Sequence, residues 1–218
     1  MKRERIAAAP ISWGVCEVDG WGVQVDPAIV IDQMRELGYA ATELGPAGFL
    51  PEHPQQLAEV LANAQLQLAG AFVAPVLHRT EDRDAALAEV DACAQMLHSV
   101  GTRAPVVLAC ATGATGYELH EPLDEAGWQV LVDGIDAACE IAASHGVGCV
   151  VHPHVGTMVE TAAHVDRVML ETSAGLCLDT GHLLAAGADP VAVMDAWAYR
   201  VRHVHLKDVH AATAEQVR

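Results

Sequence analysis

The chain is poor in aromatic side chains, poor in basic ones and empty of paired-cysteine motifs. Four Trp, three Tyr and two Phe make up only 4% of its 218 residues. Ala, Val and Leu must fill the core instead, which suits many small contacts between helices and strands. Lys and Arg total 12 against 29 Asp and Glu, a formal net charge of −17. That balance repels phosphate backbones and argues against nucleic acid or an anionic membrane as partner. The six Cys (Cys16, Cys93, Cys110, Cys139, Cys149 and Cys177) contain no C-x-x-C pair and no disulfide-framework spacing. Reduced thiols acting as small hydrophobes are expected, and with them a cytoplasmic protein. There is no G-x-G-x-x-G and no G-x-x-x-x-G-K-[ST] loop, so nucleotide-binding open sheets lose support. The apolar stretch behind the charged start is short and broken by Pro10, which fits neither a signal peptide nor a membrane span.

Apolar residues make up 52% of the chain, which excludes disorder. The length suits one domain over 1–218. Apolar, β-rich runs alternate with amphipathic ones about every 30 residues, the scale of a βαβ unit. The pattern predicts strands at 6–13, 39–44, 67–74, 104–110, 147–152, 175–179 and 201–206. It predicts helices at 27–37, 54–64, 81–100, 124–145, 161–172 and 190–197. Asp26-Pro27 and Asp189-Pro190 supply an N-cap with Pro at the first helical position, and Gly38 and Gly146 close helices. Strict strand-then-helix order implies a parallel α/β sheet, either open or closed into a barrel. The Gly-rich piece Thr112–Gly116 follows the fourth strand, where an active-site loop belongs.

Cys177-Leu-Asp-Thr-Gly-His182 and His203-Val-His-Leu-Lys-Asp208 place an Asp, two His and a Lys at the ends of two strands. This is how a βα barrel delivers metal ligands and catalytic groups to one rim. Strand parity groups Cys177 with Asp179, and His203 with His205 and Lys207. It likewise groups Val150 with His152 and His154, and Ala41 with Glu43. In each strand the polar set points inward near the C-terminal end, leaving the more apolar set for the helices. Each residue also has a plainer reading. Asp179 before Thr-Gly suits a turn cap, His205 alone suits a structural role, and Lys207-Asp208 suits an ordinary ion pair. Clustering of Asp179 and His205 with the His152/His154 pair favours a metal. Glu43 ends an apolar strand, where an unpaired carboxylate is costly, so a metal or substrate partner is expected. The mixed N/O donor set suits Mn²⁺, Co²⁺, Fe²⁺ or Zn²⁺. His53, His78, His98, His120, His145 and His164 fall in helices or loops and read as bystanders.

With these residues in hand, the chain resembles the xylose-isomerase-like TIM-barrel superfamily and, within it, the inosose dehydratases. The likeness rests on Ala9-Pro-Ile-Ser-Trp13, Thr42-Glu-Leu-Gly-Pro-Ala-Gly-Phe-Leu-Pro51, His152-Pro-His-Val-Gly-Thr157, Asp179-Thr-Gly-His182 and His205-Leu-Lys-Asp208. It implies a (β/α)8 barrel, here truncated after strand 7, and a divalent metal held at the ends of strands 5 to 8, Mn²⁺ or Co²⁺ first. Carried over, Asp179 matches the strand 6 ligand and His205 the strand 7 ligand. His152 occupies the place of the usual strand 5 Glu, which leaves His152 and His154 open as ligand or substrate contact. The strand 8 Glu has no counterpart before Arg218. A closed barrel lacking one strand keeps two unpaired edges, so poor stability or homo-oligomerisation is expected.

The resemblance implies a carbon–oxygen lyase of myo-inositol catabolism that dehydrates 2-keto-myo-inositol through an enolate, with the metal as Lewis acid. Candidate acid–base groups are Glu43, His154, His182 and Lys207, and candidate substrate contacts are Trp13, His154, His182 and Lys207. A ketose isomerase or epimerase shares the first proton transfer and differs in product. A non-catalytic sugar-binding domain is the alternative of another class. A metal-dependent apurinic endonuclease conflicts with the −17 charge and the lack of basic clusters.

Overall fold

A computed structural model describes residues 6–16, 22–114, 122–210 and 212–214. Among these residues, seven parallel strands form one sheet in chain order: β1 (Ala7–Ala8), β2 (Ala41–Glu43), β3 (Gln67–Val73), β4 (Val106–Leu108), β5 (Cys149–Val151), β6 (Gly175–Asp179) and β7 (Val201–His205). Between them run helices α1 (Pro27–Leu37), α2 (Pro54–Ala64), α3 (Arg83–Ser99), α4 (Glu125–Ser144), α5 (Ala162–Glu171), α6 (Thr180–Ala185) and α7 (Pro190–Trp197). This is the expected βα barrel through its seventh strand. Consecutive strands are neighbours, and β1 and β7 are the two edges. All strand C-terminal ends therefore lie at one rim.

The expected helix starts are realised by their caps. Asp26 and Asp189 accept the Ala28 and Val191 N–H at 2.8 and 2.9 Å, and each precedes a Pro at the first helical position. One expectation is corrected: the first strand ends at Ala8, because Pro10 starts a 3₁₀ turn over Pro10–Trp13. The segment directly after β6, to which the sequence pattern assigns no element, is helical, with Asp179 capping Thr180–Ala185.

Apolar packing occupies two layers. Met34, Leu57, Leu97, Leu131, Ile135, Met169 and Leu176 are fully buried between helices and sheet. On the inner face Val107, Val150 and Cys177 cluster, with Phe72 against them. Each large aliphatic side chain so buried contributes about 1.5–3 kcal/mol. Val204 in β7 and Leu206 just past it lie on the outer face, 42% and 72% exposed, while His203 and His205 turn inward.

Candidate active site

Above the inner apolar cluster, the strand ends supply a set of polar groups aimed at one another. Asp179 ends β6 and is fully buried. Its two oxygens divide the work: Oδ1 accepts the His182 N–H at 2.8 Å and caps α6, and Oδ2 lies 2.9 Å from His152 Nε2. The capping role and the site role are both fulfilled by one side chain. His152 follows β5, is 2% exposed, and meets Phe72 edge-on. His205 ends β7, and its Nδ1 lies 3.1 Å from His152 Nε2 and 3.4 Å from Asp179 Oδ2. The Lys207 ammonium also pairs with Asp179 Oδ2.

The DTGH and HLKD segments fit together for a steric reason. Thr180 Oγ1 donates to the Lys207 carbonyl at 2.8 Å and accepts the Lys207 N–H at 2.9 Å. A Cβ on Gly181 would stand 2.6 Å from the Lys207 Cβ, so only glycine lets α6 come this close.

His154 and His182 form the next layer. Their ring centroids are 3.6 Å apart, and His152 meets both rings, at 5.5 and 5.3 Å. His154 Nδ1 donates to the Val155 carbonyl at 2.7 Å. In the neutral ring this leaves the lone pair on Nε2. Glu43, at the end of β2, is buried, and its Oε1 accepts from His203 Nε2 at 2.7 Å and His205 Nε2 at 2.8 Å.

The electrostatics follow from burial and these contacts. Burial pushes the His152 imidazole down to about 4, against the opposing pull of Asp179. Burial, then the neighbouring His154 and Lys207, take His182 down to about 2. Burial opposes a charge on His205 too, but its bonds to Asp179, Cys177 and Glu43 outweigh this and push it up to about 12. Burial would raise Asp179 and Glu43, yet hydrogen bonds from the histidines, with Lys207 beside Asp179, hold both well below the usual carboxylate range.

Two imidazole nitrogens and one carboxylate oxygen thus stand within 3.4 Å of each other at the strand C-terminal ends. The set is the mixed N/O type that takes borderline divalent ions, and its chemistry fits a metal. His152, Cys177 and His205, Glu43, His203 and His205, and His152, Asp179 and His182 also form groups whose ligand atoms lie within 4.8 Å.

Of the residues singled out from sequence, Glu43, His152, His154, Asp179, His182, His205 and Lys207 come together. Trp13 is not among the contacts of this cluster: its indole N–H donates to Gln33 at 2.6 Å and its ring meets Tyr39. His203 and Gly70 are two contributors sequence reasoning did not single out. Strand parity already turned His203 inward, and Gly70 leaves room beside Glu43, where a Cβ would sit 3.3 Å from Oε1. His145 pairs with Asp91 and His164 takes part in the α5 capping box. His120 and the Thr115–Gly116 end of the Gly-rich piece lie outside the described residues.

A parallel βα barrel with its polar groups gathered at the strand C-terminal ends belongs to the TIM-barrel class. More narrowly, the chain belongs to the xylose isomerase-like TIM barrel family, whose model matches residues 31–217. It is 34% identical to an inosose dehydratase of Geobacillus kaustophilus, over 98% of this chain and 72% of that relative. Its fold is similar to the 3-keto-D-glucoside 4-epimerase YcjR of E. coli (TM-score 0.71, 16% identity, 89% of this chain and 78% of that one). It is equally similar to the probable 3-DHS dehydratase AsbF of Bacillus anthracis (TM-score 0.71, 18% identity, 95% of this chain and 74% of that one). At these identities the two structures bear on the fold alone. No helix among the described residues is long and apolar enough to cross a membrane.

Proposed function

We propose that the chain is a metal-dependent carbon–oxygen lyase that removes water from an inosose such as 2-keto-myo-inositol. The observation that carries this reading is the convergence of His152 Nε2, Asp179 Oδ2 and His205 Nδ1 beneath His154, His182 and Lys207. The curated relative named inosose dehydratase supplies the substrate class.

His152, Asp179 and His205 would hold a divalent ion, Mn²⁺ or Co²⁺ first. When bound, such an ion supplies a Lewis acid for the ketone of the substrate. Dehydration then needs a base for the proton beside the carbonyl and an acid for the departing hydroxyl. His154 suits the base, since its Nδ1–H is committed to the Val155 carbonyl and its Nε2 holds the lone pair. Burial keeps His182 neutral, so it serves as a hydrogen-bond partner for substrate hydroxyls without a charge of its own. Lys207, exposed and paired with Asp179, would donate a proton or hydrogen bond to the leaving oxygen.

The test is an assay of 2-keto-myo-inositol with Mn²⁺ or Co²⁺, following the product by mass. A loss of 18 mass units that EDTA abolishes supports the lyase. An isomer of unchanged mass would make the chain an epimerase or isomerase. Binding without turnover would make it a sugar-binding domain.

A further inference from the structure

Glu43 was a candidate acid–base group, and its surroundings also suit a second role. It is buried at the end of β2, and a single oxygen, Oε1, receives both His203 Nε2 and His205 Nε2. Both partners sit on β7, about 160 positions away in sequence. The two nitrogens of His205 face different groups. Nε2 meets Glu43 at 2.8 Å, and Nδ1 meets His152 and Asp179 at 3.1 and 3.4 Å.

We propose that Glu43 is a positioning residue that holds one His205 proton on Nε2, so that the proton a metal displaces is the one on Nδ1, the nitrogen that faces His152 and Asp179 as a ligand atom. The inference rests on the metal-dependent reading above and assigns a residue that reading leaves unused.

A neutral imidazole has one N–H and one lone pair. The opposite tautomer would set a lone pair on Nε2 against the Glu43 carboxylate at 2.8 Å, two acceptors facing each other away from water. That arrangement costs about the desolvation of an unpaired polar group, ~1–3 kcal/mol, so the Nε2–H form dominates. The carboxylate charge also makes the opposite nitrogen a stronger donor to a cation. His203 anchors the carboxylate from the same strand, two residues before His205, so Glu43 cannot swing away without losing both contacts. The fold makes room for this. The β2–β3 pairing shifts register between Thr42 and Glu43, and Gly70 stands opposite, where a side chain would crowd Oε1. Glu43 touches His205 on its far side from Asp179, which suits orientation of a ligand rather than proton transfer to substrate.

The experiment is Co²⁺ titration of the metal-stripped chain by calorimetry, together with proton NMR of the Co²⁺-loaded chain. There the ligand imidazole N–H gives a paramagnetically shifted, exchangeable resonance. Wild type should bind Co²⁺ and show a slowly exchanging N–H. Glu43→Ala should weaken binding by roughly 10–100-fold and speed exchange of that proton. Glu43→Gln keeps an acceptor oxygen without the charge, so it should regain most of the affinity while exchanging its N–H several-fold faster than wild type. A folded Glu43→Ala chain with wild-type Co²⁺ affinity and N–H exchange would overturn the inference. Should the Ala variant not fold, Glu43→Gln decides: affinity and exchange identical to wild type would overturn it equally. A wild-type chain that binds no Co²⁺ removes the metal reading and this inference together, whereas a binding wild type with an indifferent Glu43 removes this inference alone.

Discussion

The rings of His154 and His182 stack with centroids 3.6 Å apart and planes tilted by 36°. One comes from the segment after β5 and the other from α6, so the pair closes the gap between two neighbouring strand ends. Two imidazoles pack this closely only when they do not both carry a charge, and burial and His154 together take His182 down to about 2.

From this contact follows the first prediction. His154→Ala removes the candidate base while His152, Asp179 and His205 keep their contacts. Turnover of 2-keto-myo-inositol should fall about 10²–10⁴-fold, the range for loss of a general base. Mn²⁺ affinity, measured separately by calorimetry, should stay within about threefold of wild type. A parallel loss of metal binding would make His154 a ligand instead.

Asp179 gives the second, because its two oxygens serve different ends. Asp179→Ala loses the α6 cap and leaves His152, His205 and Lys207 without their shared carboxylate. Removing one partner of a buried ionic cluster costs about 3–5 kcal/mol. Asp179→Asn keeps an oxygen for the His182 N–H and loses only the charge. Urea unfolding should therefore rank wild type above Asn above Ala, with about 1 kcal/mol of the Asn–Ala gap due to the cap. Neither variant should bind Mn²⁺.

Gly181 gives the third. A methyl group there would stand 2.6 Å from the Lys207 Cβ, so Gly181→Ala must push α6 and the end of β7 apart. Overpacking of this kind costs about 1–3 kcal/mol. Lys207 would shift with the strand end, and turnover should fall while Mn²⁺ still binds. Unchanged stability in urea would mean that the two segments yield more easily than their hydrogen bonds through Thr180 indicate.

Much of this was legible in the sequence because it depends on local signals. Asp-Pro dipeptides set the starts of α1 and α7, and period-two alternation put Asp179, His203 and His205 on the inner face. What parity cannot give is which inward groups meet. Glu43 and His205 lie 162 residues apart, and only the curvature of the sheet brings β2 to face β7. The short helix α6 escaped for a different reason. Six residues carry too little periodicity to read, and its cap was hidden in a residue that also suits a ligand. The place of Trp13 in a family motif carries no direction, and its indole donates to Gln33 on α1.

The last prediction concerns the metal-free chain, in which the histidines push stability in opposite directions with pH. His152 and His182 are held below their ordinary value of 6.5, at about 4 and about 2, so folding favours their neutral forms. Their contribution is complete above pH 6.5 and is lost as pH falls from there toward those values. Asp179 and Glu43, held below 3.8 and 4.5, add a further loss at lower pH. His205 is pushed up to about 12, so its contribution is complete below pH 6.5 and drains away as pH rises toward that value. The urea midpoint in EDTA should therefore peak near pH 6.5 and fall on both sides. His205→Gln should flatten the alkaline limb and also weaken the acid limb, because His205 helps to hold Asp179 and Glu43 down. Saturating Mn²⁺ should reverse the alkaline limb, because a ligand His205 must be neutral and binding competes with its proton. A midpoint in EDTA that keeps rising from pH 6.5 to pH 9 would mean that His205 is neutral in the folded chain, with its contact to Asp179 carried by some other proton.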